Sequence, residues 1–275
     1  MRIALFQAQT GIDPEANANE LAGRVAEAAG GGARMLFTPE MSGLLDQDRA
    51  RAAAHLHEEA DDPVLARVRA AAAGAGIWVH LGSLALKGGS DGKLVNRGFV
   101  IDGEGRVRAR YDKIHLFDVD LPTGESWRES ASYRGGDRAV VVDTPLGPLG
   151  LSICYDLRFA GLYSALSDSG AKAFSIPAAF TVPTGQAHWH VLMRARAIEA
   201  GAFVIAAAQV GKHEDGRATY GHSLVVDPWG KVLLDMGGEG PGIAFAEIDP
   251  AAVDEVRQRV PAIQHRRAIP RPELA

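Results

Sequence analysis

Leu149-Gly-Leu-Ser-Ile-Cys154-Tyr-Asp-Leu-Arg-Phe159 is the stretch on which the reading of this chain turns. An apolar run reads as a buried strand, and it delivers a cysteine to a polar, charged turn. That cysteine is the only one in 275 residues, so it forms no intrachain disulfide and supplies no cysteine-based metal site. A lone cysteine is usually a small buried hydrophobe. A thiol at the end of a strand, where the chain enters a turn, also stands where a nucleophile would be presented.

Two other segments share this design. In Met35-Leu-Phe-Thr-Pro-Glu40, proline stops a short strand and aims a carboxylate away from its end. In Arg110-Tyr-Asp-Lys113-Ile-His115-Leu-Phe117, a hairpin strand leads to a lysine among large apolar neighbours. Alone, Glu40 reads as a solvated loop residue and Lys113 as a surface charge. Together, the three strand ends supply what amide cleavage by a thiol needs. A thiol is mostly protonated at neutral pH and must lose its proton to attack carbon. Glu40 is the candidate general base, returning the proton to the departing amine. The Lys113 ammonium and the Tyr155 backbone N–H are the candidate donors to the developing oxyanion.

These three motifs resemble those of the nitrilase, or carbon–nitrogen hydrolase, superfamily. The matching segments are Phe37-Thr-Pro-Glu40, Tyr111-Asp-Lys-Ile-His-Leu-Phe-Asp118 and Ile153-Cys-Tyr-Asp-Leu-Arg-Phe159, in the family's order and spacing. The resemblance covers nearly the whole chain. It implies a four-layer α-β-β-α sandwich in one domain, subunits that pair as a homodimer or higher oligomer, and a Glu40, Lys113 and Cys154 triad. It also implies a positioning or assisting role for Glu129, in Trp127-Arg-Glu-Ser130. Further segments are similar to the branch of deaminated-glutathione amidases more than to omega-amidases. They include Ala179-Phe-Thr-Val-Pro-Thr-Gly-Gln-Ala-His-Trp189 and Tyr220-Gly-His-Ser-Leu-Val-Val-Asp-Pro-Trp-Gly230. Both groups cleave the terminal amide of a 2-oxo acid, which would be the substrate class here. Two departures stand out: Ala160-Gly161 replaces a usual Pro-Glu, and His190 stands where Glu often follows His-Trp. A nitrilase, an N-carbamoyl hydrolase, or a silent binding protein with this fold are the alternatives that the triad alone does not separate.

Candidate substrate contacts are Arg158, Phe180 and Thr181. A guanidinium suits bidentate binding of a carboxylate, although Arg158 could equally pair with Asp156 or another acid. Phe180 could equally be core. Nine histidines raise a Cys–His hydrolase as a competitor, with His80, His115 and His222 near strand segments, but no spacing selects one. A metal site at His188-Trp-His190 is disfavoured, because helical positions two apart do not share a face.

Proline and glycine punctuate the rest. Asp13-Pro14 and Asp62-Pro63 open helices to about Ala29 and Ala73. Strands are expected at 2–8, 34–38, 77–86, 95–101, 106–112, 139–143, 149–153, 172–176, 203–209, 223–227, 231–235 and 243–248. Further helices are expected at 160–168, 185–200 and from Pro250. Asp102-Gly-Glu-Gly105, Pro145-Leu-Gly-Pro148 and Asp227-Pro-Trp-Gly230 are the turns. Residues 261–275, with three prolines, read as an extended tail of the kind that reaches a second subunit.

Hydrophobic residues make up 47% and charged residues 23%, ordinary for a globular chain. A net charge of -5 provides no footprint for nucleic acid or anionic lipid. No apolar stretch reaches membrane-span length, and residues 1–7 lack a signal-peptide h-region. A cytoplasmic location fits the unpaired thiol. Gly237-Gly-Glu-Gly-Pro-Gly242 is a loop, not a nucleotide motif, and no cofactor or metal is expected.

Overall fold

Two six-stranded sheets pack face to face between two pairs of helices, the layering the resemblance implies. The computed structural model describes residues 1–88, 91–120, 124 and 126–271. The first sheet runs in the order Gly242–Glu247, Arg2–Gln7, Met35–Phe37, Trp78–Lys87, Leu94–Ile101, Val107–Asp112. The second runs Val141–Thr144, Gly147–Leu151, Ala173–Ser175, Phe203–Ala206, Leu224–Val226, Val232–Asp235. Read in those directions, both sheets show the same succession of pairings: antiparallel, parallel, parallel, antiparallel, antiparallel. Nothing in the sequence reads as a repeat, so the duplication is one of topology.

The apolar runs are continuous because both faces of each sheet are covered. In the first strand, Ile3 and Leu5 point between the sheets. Ala4 and Phe6 point to the outer core, where Leu21 and Val25 of Pro14–Gly30 meet Leu65 and Val68 of Pro63–Ala75. Asp13 and Asp62 accept the first free N–H groups of those two helices, as the Asp-Pro pairs suggested. On the other side, Ala160–Asp168 and Val182–Ala200 cover the second sheet, with Trp189, Met193 and Ala197 fully buried.

Boundaries moved in a few places. The long helix starts at Val182 rather than 185, because Pro183 is tolerated in a first turn. The strand at 203 stops at Ala206, three residues early, and the chain then turns through Gln209. The hairpin before Cys154 turns at Gly147 (φ 88°), so Pro148 already lies in the strand. Asp118–Asp120 with Ser126–Arg128, and Val210–Lys212 with Ala218–Tyr220, form two small ribbons with no clear sequence signal. Of the tail, residues 261–271 are mostly exposed, and Arg266 folds back to donate to the Ser167 hydroxyl (2.8 Å). Its last four positions lie outside the described residues.

Candidate active site

Ligand sites in parallel sheets lie beyond the carboxyl ends of the strands. Here the central parallel strands of both sheets end at one cavity of 410 Å³. Met35–Phe37 leads into Glu40, Gly147–Leu151 leads into Cys154, and Ala173–Ser175 leads into Ala179, Phe180 and Thr181. Lys113 follows directly on Val107–Asp112, the edge strand of the first sheet.

The Glu40 loop is pinned from several sides. Thr38 Oγ1 accepts from the N–H of Gly82 (3.0 Å), the Met41 N–H donates to Ser83 Oγ (2.9 Å), and Gln209 Nε2 donates to the Glu40 carbonyl (2.9 Å). A Cβ at Gly82 would lie 2.2 Å from the Thr38 and Pro39 carbonyl oxygens, so only glycine lets the loop cross here. Met41 (φ 56°) and Cys154 (φ 49°) both occupy the left-handed region, which costs free energy for residues with a Cβ and is held in place by the surroundings. One strained residue thus follows Glu40, and the other is Cys154 itself.

The side chains form a buried network. Lys113 Nζ donates to Glu40 Oε1 (2.9 Å) and to Glu129 Oε2 (2.9 Å). Asn96 Nδ2 donates to Glu40 Oε1 (2.9 Å) and reaches Glu129 Oε1 (3.3 Å). The Ala179 N–H donates to Glu40 Oε2 (3.0 Å), and the Phe117 N–H to Glu129 Oε2 (2.6 Å). The Cys154 thiol faces the Glu40 carboxylate and the Ala179 N–H.

Electrostatics fix the resting protonation. Burial alone would raise the pKa of Glu40, but the Lys113 charge and the hydrogen bonds of Cys154, Lys113 and Asn96 hold it below its ordinary value. Burial alone would lower that of Lys113, yet Glu129 and Glu40 keep it well above the usual lysine value. For Cys154, burial and the Glu40 charge push the thiol well up, against the opposing pull of Lys113. The resting set is carboxylate, ammonium and neutral thiol rather than a preformed thiolate.

Asp156 ties the two motifs together, a role the sequence did not disclose. This fully buried carboxylate accepts from Tyr111 Oη (2.7 Å), from the His115 N–H (3.0 Å) and from the Ile153 N–H (2.9 Å). It therefore locks the turn carrying Cys154 to the loop carrying Lys113. An acid amid a charged turn was open to pairing with Arg158, but that pair does not form. The Arg158 guanidinium lies 3.4 Å from His188 Nδ1 and over the rings of Tyr155 and Phe180, on the cavity wall. Phe180 is both wall and core, packed edge-on against Trp189 at 4.8 Å. Thr181 shares its hydroxyl with Thr184 (2.8 Å) at the cavity rim.

Among the described residues no histidine lines the cavity, and His222 pairs instead with Asp235 (2.9 Å). His80 is sealed between the sheets against Phe37 and Ser175 Oγ (3.2 Å), and burial drops its pKa to about 3. His115 binds Asp156 Oδ1 through Nδ1 (2.7 Å) and stacks on Phe159. His188 and His190 point to different partners, Arg158 and Asp235. Asn96 and Gln209, like Asp156, are neighbours of the site that sequence reasoning missed. Both amides are polar residues in apolar runs, the one signal that could have flagged them.

A carboxylate, an ammonium and a thiol thus meet round one cavity at the seam of an α-β-β-α sandwich. The carbon–nitrogen hydrolase family model matches residues 2–258, and the chain belongs to that family. It is 38% identical over 272 residues to the deaminated glutathione amidase of Yersinia enterocolitica, spanning 97% of this chain and 93% of that one. The C. elegans NitFhit protein superposes with a TM-score of 0.89 at 39% identity, covering 97% of this chain and 65% of that one. The amidase of Nesterenkonia sp. AN1 superposes with a TM-score of 0.81 at 27% identity, over 97% of this chain and 94% of that one. That structure is of a glutamate-to-glutamine mutant and shows covalent addition of the acetamide moiety of fluoroacetamide at its active site cysteine.

Proposed function

We propose that this carbon–nitrogen hydrolase is a thiol amidase acting on the terminal amide of a small 2-oxo-acid amide, deaminated glutathione first among them, through a thioester at Cys154. The observation that carries this reading is the buried Lys113 bridge between Glu40 and Glu129 beside the Cys154 thiol. In the first half-reaction Glu40 takes the thiol proton as sulfur attacks the amide carbon. Lys113 and the Tyr155 N–H receive the oxyanion. Glu40 then passes its proton to the amine, and ammonia departs. In the second half-reaction Glu40 draws a proton from water, which attacks the thioester and frees the acid and the thiol. Glu129 keeps Lys113 charged and oriented throughout.

The cavity wall supports this choice of substrate. Leu44, Leu56 and Trp127 are apolar, while Arg49, Arg128, Arg158 and Arg217 are basic. Arg128 is bonded to Asp120 and Arg217 to Asp215, and Arg49 is exposed, whereas Arg158 is half-buried against His188 and two aromatic faces, four residues from Cys154. Arg158 is therefore our choice for a substrate carboxylate. A cavity of 410 Å³ has room for a peptide-like amide, larger than 2-oxoglutaramate requires. The name of the Yersinia relative supports the same choice. The lone thiol fits a reducing cytoplasm, and a homodimer is the expected unit.

Ammonia release from a panel decides the matter: deaminated glutathione, 2-oxoglutaramate, a simple nitrile and an N-carbamoyl amine. The expected result is the highest kcat/KM on deaminated glutathione, with Arg158→Ala raising KM more than it lowers kcat. A higher kcat/KM on the nitrile or the carbamoyl amine would overturn the amidase assignment. A preference for 2-oxoglutaramate would overturn only the larger acyl group.

A further inference from the structure

A second group of reactive side chains lies away from the cavity, on the flank of the second sheet. His190 comes from the helix Val182–Ala200, His222 from the turn before Leu224–Val226, and Asp235 from the end of Val232–Asp235. His190 Nε2 is 2.9 Å from Asp235 Oδ2. His222 Nδ1 is 2.9 Å from Asp235 Oδ1 and 3.2 Å from Oδ2. One ligating atom from each residue lies within 4.8 Å of the others, and none of the three lines the catalytic cavity.

Groups outside the trio hold it in shape. His222 sits at φ 57°, a conformation unfavourable for any residue with a Cβ. Its N–H donates to the Gly237 carbonyl (2.8 Å), and its carbonyl accepts from the indole of the fully buried Trp189 (2.8 Å). The Tyr220 ring stacks on the His222 ring at 4.3 Å, and Asp235 Oδ1 accepts from the Gly237 N–H (2.9 Å). Two imidazoles and a carboxylate are thus oriented by a strained turn, a buried tryptophan and an aromatic face, in addition to one another.

We infer that His190, His222 and Asp235 form a binding site for a late first-row divalent cation, zinc foremost. Two imidazole nitrogens with one carboxylate oxygen suit zinc, cobalt or nickel, whereas calcium and magnesium require oxygen ligands. Neighbouring ligand atoms round a centre with bonds of about 2.0–2.1 Å lie on the order of 3 Å apart, close to the separations seen here. All three side chains are partly exposed, so water completes the shell. Binding would replace the proton-mediated contacts with metal bonds and clamp the long helix to the Leu224–Asp235 hairpin.

The test uses tag-free full-length protein stripped by a chelator and titrated with zinc by calorimetry and with cobalt by visible absorption. One equivalent is expected, with a cobalt d–d band and a rise in Tm. His190→Gln and Asp235→Asn should each weaken binding about tenfold or more. Cys154→Ala should keep the equivalent, which separates this site from capture by the nucleophile. Should either variant fold poorly, zinc should still protect the His190 peptide of the wild type from diethylpyrocarbonate. Absence of saturable binding, binding that survives both substitutions, loss of the equivalent in Cys154→Ala, or unprotected His190 would leave only an ion pair and overturn the inference.

Discussion

The two six-stranded sheets share one succession of pairings but deliver different chemistry to the cavity they close. From the first come the charged groups, Glu40 and Lys113, with Asn96 between them. From the second come the Cys154 thiol, the Ala179 N–H and the wall residues Phe180 and Thr181. Neither sheet alone assembles the set. Ion pairing within one layer keeps Glu40 ionised, and in the proposed mechanism it acts as base only where a strand end of the other layer sets a thiol against it. Asp156, bonded to both the Lys113 loop and the Cys154 turn, and His80, bonded across the seam to Ser175, add two further polar ties between layers to those that Ala179 and Gln209 make with Glu40.

The largest effects should come from removing what one sheet offers the other. Cys154→Ala should abolish turnover, and Glu40→Gln should lower kcat by about 10²–10⁴-fold with the fold intact by circular dichroism. The same Glu40→Gln change should slow alkylation of Cys154 by iodoacetamide, because the thiol depends on that carboxylate for deprotonation. Equal labelling rates in wild type and variant would show that the layers do not cooperate.

Lys113→Met acts inside the first layer. It should cost about 10²–10³-fold in kcat and also about 3–5 kcal/mol of stability, since it leaves two buried carboxylates facing each other. Urea unfolding would register the second loss. Glu129→Gln should be milder, about 10–100-fold in kcat, because it only loosens the hold on Lys113.

The pH profile sharpens the division further. The folded-state pKa of Glu40 lies below its ordinary 4.5, so the acid limb of kcat/KM should fall below that value, and its stabilising contribution is lost only as pH drops through the depressed pKa. His80 titrates at about 3 in the fold against 6.5 when exposed. The unfolded chain therefore binds the extra proton between those values, and stability should fall as pH decreases from 6.5 toward 3. The slope is at most on the order of 1 kcal/mol per pH unit. His80→Gln should flatten that part of the urea-midpoint profile while leaving the kcat/KM profile in place.

Much of this was legible in the residues, for identifiable reasons. Asp-Pro pairs cap helices through contacts two or three residues away, so Pro14–Gly30 and Pro63–Ala75 could be read locally. Glu40, Lys113 and Cys154 stood out because each follows a strand end, and their ordered motifs pointed to one family. What stayed hidden was long-range. Asn96 sits in the middle of Leu94–Ile101, and only the neighbouring strands turn its amide toward two carboxylates. Gln209 reaches Glu40 across 169 positions, and Asp156 was equally open to pairing with the nearby Arg158. The matching topology of the two sheets left no trace, because core positions ask only for apolar volume and alternation.

One experiment goes to the centre: rapid quenching of wild-type enzyme with deaminated glutathione, followed by mass spectrometry of the Cys154 peptide. The account predicts an acyl adduct on that sulfur that forms as ammonia is released, decays with hydrolysis and is missing in Cys154→Ala. Ammonia released at the full rate with the Cys154 peptide unmodified throughout, or by the alanine variant, would contradict it.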